Sequence, residues 1–262
     1  MKITTYTIQE PRMAGLKLAF LADSHAEKEE KILPAVRSLS PDLILFSGDA
    51  FEDLIHDPSA ETPRNQSGLS LLRALAKIAP TYYAPGNHDN GGRGSQLRTK
   101  KERKEDWLLS EESKEKISAT GAVLLDDAFC RIGCKDREFY LGGLTSGVVF
   151  AGHKPHLDWL SSMTDGSGLY RILLSHHPEY TAKFSAIPEN ADLVLSGHAH
   201  GGQIELFGRG LYAPLQGVLP KYTKGIHSFG SSRMIVSRGL TNSCRPIPRL
   251  FNPCEVVQIL FT

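Results

Sequence analysis

Five short stretches of this 262-residue chain place histidine, aspartate or asparagine directly after a run of apolar residues. They are Asp23-Ser24-His25, Gly48-Asp49, Gly86-Asn87-His88-Asp89, Ser175-His176-His177-Pro178 and Gly197-His198-Ala199-His200-Gly201. A short apolar run bounded by turn formers is the pattern of a buried strand, so these polar groups are expected at strand ends. Singly, each stretch is weak. A D-x-H is usually chance, an H-x-H is more often a surface or packing feature, and Gly-Asp can be a turn with a capping carboxylate. Five together, each delivered by an apolar run, are hard to explain as coincidence. Oxygen and nitrogen donors gathered from several strand ends make a pocket for hard or borderline divalent metals.

Residues 16–22, 43–46, 81–84, 171–174 and 192–195 read as these strands. Helical spacing predicts a helix over 29–39, with Ile32, Leu33, Val36 and Leu39 on one face, another over 69–79, and a third ending near Ala119. Residues 52–67, rich in Pro, Asp, Asn and Ser, read as a surface loop. Shorter β runs are expected at 122–125, 129–132, 139–141, 203–207, 234–237 and 256–260, with a short helix over 156–163. The alternating Ile3, Tyr6 and Ile8 suit an edge strand. Strands alternating with helices early, then following each other closely, suggest a mixed α/β layered fold. Ligands at carboxyl strand ends fit the placement of sites in such sheets. Without repeat or linker, a single domain over 1–262 is the simplest expectation.

Side-chain direction adds two expectations. Asp23 and His25, two apart in an extended segment, point the same way. His176 and His177, adjacent on an extended segment, face opposite ways, so only one should reach the site.

A formal net charge of +1 and no basic stripe argue against a nucleic-acid partner. No run of about 18 apolar residues is present, and the N-terminus lacks a signal-peptide core. A chain trimmed of an anchor would look the same, so a cytoplasmic or membrane-peripheral monomer is the expectation. Cys130, Cys134, Cys244 and Cys254 have neither C-x-x-C nor zinc-knuckle spacing and read as free thiols. Residues 211–220 are apolar for a loop. A loop covering the core is narrowly preferred over an apolar lip that meets a lipid tail or membrane surface.

In order, D-x-H, G-D, G-N-H-D, a buried strand ending in His, and G-H-x-H resemble the calcineurin-like metallophosphoesterases, over residues from about Leu16 to Phe251. Gly201-Gly202-Gln203 and Ser237-Arg238-Gly239-Leu240 further resemble a bacterial branch with cell-envelope phosphodiesterases and UDP-2,3-diacylglucosamine pyrophosphohydrolases. The resemblance implies a four-layer αββα sandwich, two mixed β-sheets face to face flanked by helices. It also implies two divalent or trivalent metal ions (Mn, Fe, Zn or Co) and a metal-bridging hydroxide that attacks a small-molecule or lipid-linked phosphoester.

By that resemblance Asp23, His25 and His200 hold one metal, Asn87, His176 and His198 the other, and Asp49 bridges them. His88 stays off the metals and either donates a proton to the leaving oxygen or stabilises the phosphoryl group. The family has a further carboxylate three residues after the bridging Asp; here that position is Glu52, and the Asp arrives one later, as Asp53. Either could orient His88. Arg238 and His177 are candidate substrate contacts, with Arg93 a weaker one. A phosphohydrolase is the leading expectation, because every ligand position is filled. A catalytically silent metal-binding regulatory module and a nuclease are the alternatives.

Overall fold

The computed structural model describes residues 1–52, 54, 57–90, 109–146, 154–241 and 247–262; Asp53, Arg93, residues 98–104, His153 and Cys244 lie outside the described residues. In chain order the first half holds β1 (Lys2–Ile8), β2 (Lys17–Leu21), α1 (Glu29–Ser38), β3 (Leu43–Ser47), α2 (Pro63–Ala76) and β4 (Thr81–Ala84). Then come α3 (Glu111–Ser118), β5 (Val123–Leu124), β6 (Ala128–Cys134) and β7 (Arg137–Leu144). The second half holds β8 (Tyr170–Ser175), α4 (Pro178–Lys183), α5 (Ala186–Asn190) and β9 (Leu193–Ser196). It continues with the two-residue strands β10 (Glu205–Leu206), β11 (Arg209–Gly210), β12 (Tyr212–Ala213) and β13 (Gly217–Val218). It closes with β14 (Gly225–Phe229), β15 (Ser232–Val236) and β16 (Glu255–Phe261).

Two six-stranded mixed sheets organise the chain, in the orders β1-β16-β2-β3-β4-β5 and β14-β15-β9-β8-β7-β6. Within them β2 through β5 are parallel, as are β15, β9, β8 and β7, while β16 runs antiparallel to β2 and β6 and β14 form antiparallel edges.

The strand period of two explains the layering. Leu18 and Phe20 of β2, Leu43 and Leu45 of β3, Ile172 and Leu174 of β8, and Leu193 and Leu195 of β9 share one core between the sheets. The alternate residues Ala19, Leu21, Ile44 and Phe46 face a second core with Ile32, Leu33 and Val36 of α1 and Leu72 and Leu75 of α2. On the far side Leu173 and Val194 meet Tyr180 and Ile187 in a third. Strands buried on both faces read as unbroken apolar runs, which is why they were visible in the sequence. The result is the αββα sandwich. Truncating one of these fully buried leucines to alanine costs about 2–5 kcal/mol.

Some boundaries differ from expectation. Helix α2 begins inside the stretch read as loop: Thr62 caps it by accepting from Asn65 N–H, and Pro63 takes the first turn, where its missing donor costs nothing. The 203–207 strand shrinks to the β10 arm of a tight hairpin. Residues 156–163 form a 3-10 turn at Asp158–Met163, and β14 is an additional edge strand. Among the described residues, no helix is long and apolar enough to cross a membrane.

Candidate metal centre

Strands β2, β3, β4, β8, β9 and β15 all end at one edge of the sandwich, and their exit loops are tied together by backbone bonds. Asp23 N–H donates to Gly48 O (3.0 Å), His25 N–H to Asp49 O (3.0 Å) and Gly197 N–H to His176 O (3.0 Å). Other bonds cross between the sheets. Leu240 N–H, after β15, reaches Ala22 O (3.0 Å), and His198 N–H donates to Asp23 Oδ1 (3.0 Å). Close approach of the β3 and β4 exits depends on Gly48: a Cβ there would stand 2.6 Å from Gly86 Cα and 2.7 Å from His176 Nδ1.

Asp23, His25, Asp49, His198 and His200 all have left-handed backbone, with φ of 57°, 40°, 58°, 65° and 45°. Each such non-glycine residue costs roughly 1–2 kcal/mol, a strain that concentrates at functional sites. Asp23 and His25 therefore do not converge by extended alternation, as the sequence suggested. Sharp turns after the strand aim them together.

The side chains meet as follows. His176 Nε2 lies 3.0 Å from Asp49 Oδ2 and 3.8 Å from Asp23 Oδ1; His25 Nε2 lies 3.6 Å and 4.0 Å from the same two oxygens. His200 Nε2 is 3.6 Å from Asp23 Oδ1. Three sets of side chains, Asp23–His25–His200, Asp23–Asp49–His176 and His176–His177–His198, each bring their ligand atoms within 4.8 Å of one another. Among the described residues, His25 Nε2, Asn87 Oδ1 and His198 Nε2 are buried with no hydrogen-bond partner, and the buried His176 Nε2 and Asp49 Oδ2 have only each other, 3.0 Å apart. A buried polar atom left unsatisfied costs about 1–3 kcal/mol, so several in one place fit a bound cation. The donor set, imidazole with carboxylate and amide and no thiolate, suits Mn, Fe, Zn or Co.

Charge is divided unevenly. Burial alone would lower the His25 ring, but the Glu52 hydrogen bond and the charges of Asp49, Glu52 and Asp23 lift it to about 9. His176 is lifted against burial to about 10, chiefly by Asp49. His198 and His200 stay well below the usual histidine range, first through burial and then through neighbouring imidazoles. Burial opposes ionisation of Asp49, yet His176 and His88 hold it far below a normal carboxylate. Asp23 is raised, mainly by burial.

Outer contacts orient the clustered side chains. His176 Nδ1 sits 2.7 Å from Ser47 O; donation there leaves the Nε2 lone pair for a metal. Asp89 accepts from Asp49 N–H (2.8 Å), Phe51 N–H (2.9 Å) and Gly86 N–H (2.5 Å), pinning both exit loops. Asp49 Oδ1 accepts from His88 N–H at 2.8 Å. Glu52 sits between two rings: Oε1 is 3.1 Å from His25 Nδ1, and Oε2 is 3.7 Å from His88 Nδ1 and 3.3 Å from Arg64 Nη1. His88 remains a quarter exposed, whereas His25 is nearly enclosed.

Two expectations change. His177 is buried together with His176, because the strand ends at Ser175 and the chain turns into α4. Its ring is sandwiched between His198 (centroids 4.1 Å apart) and Tyr180 (4.8 Å), with Nδ1 3.0 Å from Glu179. That placement suits a platform for His198 better than an exposed substrate contact. Arg238 is engaged by carboxylates, at 2.7 Å from Glu205 and 3.6 Å from Glu255. Sequence reasoning missed Asn252, whose Nδ2 donates to His200 O (2.7 Å) and Gln203 O (3.2 Å) and so braces the loop that carries His200. No local pattern points to a contact across 52 residues.

Two mixed sheets whose shared strand ends gather carboxylates, imidazoles and an asparagine define a metallophosphoesterase. The chain matches the calcineurin-like phosphoesterase family over residues 16–202 and belongs to that family. It is 28% identical over 247 residues to the uncharacterized metallophosphoesterase YkuE of Bacillus subtilis, covering 91% of this chain and 77% of that protein. It is 30% identical over 250 residues to the phosphodiesterase YaeI of Escherichia coli, covering 89% and 80%. A solved dimetal phosphatase from Danio rerio is similar with a TM-score of 0.48 at 11% identity, covering 86% of this chain and 87% of that one.

Proposed function

We propose that this chain is a dinuclear metal-dependent hydrolase of phosphoesters, with phosphodiesters as its leading substrate class. The observation that carries the reading is the convergence of Asp23, His25, Asp49, His176, His198 and His200 in one strand-end cluster, with Asn87 Oδ1 buried and unpartnered among the described residues on the β4 exit beside it. Asp23, His25 and His200 would hold one ion, Asn87, His176 and His198 the other, with Asp49 between them. Bound divalent ions supply Lewis-acid polarisation of phosphoryl oxygens and acidify water near neutral pH.

The protein's own groups do the rest. Glu52 hydrogen-bonds the His25 ring and faces His88 Nδ1 at 3.7 Å, so the opposite, Nε2, edge of His88 would donate a proton to the departing oxygen. Its partial exposure suits that task, since the leaving group must exit toward solvent. Asp89 and Ser47 hold loop and ring orientation before any substrate arrives. The relative named phosphodiesterase supports diesters over monoesters. Nucleotide-linked pyrophosphates of the cell-envelope type are the finer possibility within the same chemistry. A silent regulatory module is disfavoured because no ligand position is lost.

The test is hydrolysis of bis(p-nitrophenyl) phosphate by metal-depleted protein reloaded with Mn²⁺, Fe²⁺, Zn²⁺ or Co²⁺. Activity should return with metal and vanish on chelation. A protein that binds two ions and hydrolyses no phosphoester with any of them would overturn the reading.

A further inference from the structure

Eleven large apolar residues are exposed among the described residues, and six of them, Leu206, Phe207, Val218, Leu219, Leu250 and Phe251, lie on three short segments joined to one another. Glu205 N–H donates to Leu250 O (3.0 Å), Leu250 N–H to Gln203 O (3.1 Å), and Leu219 N–H to Leu211 O (2.9 Å). Leu211 N–H in turn donates to Gly202 O (3.1 Å), and Asn252 clasps His200 O. The apolar rim and the last metal-ligand loop are thus one hydrogen-bonded body. The sequence-based preference for a loop packed on the core holds for only part of residues 211–220. Ala213 is buried, but Val218 is 78% and Leu219 63% exposed.

The backbone makes this exposure harder to dismiss. Phe207 and Gly208 form the two-residue turn between β10 and β11 with φ of 49° and 79°, a geometry that ordinarily selects Asn-Gly. Leu219 (φ 54°) and Phe251 (φ 56°) also occupy left-handed positions where Gly or Asn would be relaxed. These bulky side chains are strained and leave water-facing surface, so they add little to the fold.

Charge accompanies them. Residues 203–224 and 247–254 contain the bases Arg209, Lys221, Lys224 and Arg249 against one acid, Glu205. That acid is engaged by Lys224 at 2.5 Å and Arg238 at 2.7 Å, whereas Arg209 and Lys221 are exposed.

We propose that this rim docks the protein on the surface of an anionic lipid bilayer. Apolar tips beside exposed bases are the combination that enters the headgroup boundary and is drawn to acidic lipid. A second copy of the chain is a poorer occupant. Isologous pairing through this rim would bring like bases together, and isolated turn tips do not offer the flat complementary area a stable dimer needs. Docking itself does not depend on hydrolysis; that it delivers lipid-borne phosphoesters to the cluster rests on the proposed function.

The experiment is co-sedimentation of the full chain with vesicles of phosphatidylcholine alone or mixed with phosphatidylglycerol, for wild type, Phe207→Ser/Leu219→Ser and Arg209→Glu/Lys221→Glu. Wild type should sediment with the anionic vesicles, and each double variant should lose roughly tenfold or more in vesicle affinity. Both variants should keep wild-type hydrolysis of bis(p-nitrophenyl) phosphate without vesicles, which shows that they are folded. Equal sedimentation of wild type and the serine variant would overturn the proposal. So would sedimentation-velocity data showing a wild-type dimer that the serine variant dissociates, since the rim would then be a self-interface. Vesicle binding by a chain inactive on every phosphoester would leave docking intact and defeat only the proposed function.

Discussion

One carboxylate, Glu52, faces both a proposed metal-binding ring and the proposed acid: its two oxygens lie 3.1 Å from His25 Nδ1 and 3.7 Å from His88 Nδ1. Although burial opposes it, these rings hold Glu52 well below the usual carboxylate range, so it is ionised at neutral pH. Glu52→Gln keeps the shape and removes the charge. We expect metal affinity and kcat each to fall about 10–100-fold with little change in Tm. Metal titration and steady-state assays check this; an unchanged kcat would shift the orienting role away from Glu52.

His88 and Asp49 separate chemistry from metal retention. Asp49 Oδ2 faces both His25 and His176, so Asp49→Asn should lose bound metal and activity together. His88→Ala should retain the metal content of wild type while kcat falls about 10²–10⁴-fold, the range for a positioned proton donor. Elemental analysis beside the diester assay distinguishes the two outcomes.

How much of this was legible beforehand depends on the distance over which a residue acts. The strand ends carrying Asp23, Asp49, Asn87, His176 and His198 were readable because burial on both faces writes itself locally as an apolar run. The start of α2 was not, since its signal is a single Thr62-Pro63 pair inside a polar stretch. The alternation argument for His176 and His177 rested on an extended segment that stops short of both, since β8 ends at Ser175 and both rings are buried. Asn252 and the Tyr180 stack were illegible for a different reason. Only tertiary packing brings them to His200 and His177.

The His177 ring offers a sharper test of its own. As a stacked platform between Tyr180 and His198 it needs a flat face, whereas as a metal ligand it would need a nitrogen. His177→Phe should therefore keep metal content and kcat within about threefold, and His177→Ala should lower kcat about tenfold by loosening His198. Loss of a metal ion in the phenylalanine variant would make His177 a ligand.

Away from the site, Asp127 links stability to pH. Burial, with the nearby Asp126 charge, raises its carboxyl to about 6, although Thr145 N–H (2.8 Å) opposes the shift. A folded value above the unfolded one of about 3.9 means the native state holds the proton more tightly. Stability from this group is present below about pH 4, falls as pH rises toward 6, and is lost above it. Asp127→Asn can still accept from Thr145 and carries no charge. It should raise stability at pH 7.5 by about 1 kcal/mol, after allowing for solvent screening, with no gain at pH 4. Thermal melts at both values read this; equal gains at both would refute the charge argument.

Gly48 tests whether the site's convergence is built into the backbone. Its φ of 86° disfavours any side chain, and a Cβ would strike Gly86 Cα on one side and His176 Nδ1 on the other. The obstruction on the Gly86 side is backbone, which cannot rotate away, so relief must come by separating the β3 and β4 exits. That movement would weaken the Asp49 Oδ1 bond to His88 N–H and the His176 bond to Ser47 O together. Gly48→Ala should cost about 2–4 kcal/mol in chemical denaturation, combining left-handed strain with overpacking. Excess metal should recover part of the lost stability by binding only the native state. A variant as stable as wild type with unaltered metal affinity would show that the two exits are not held as tightly as their contacts imply.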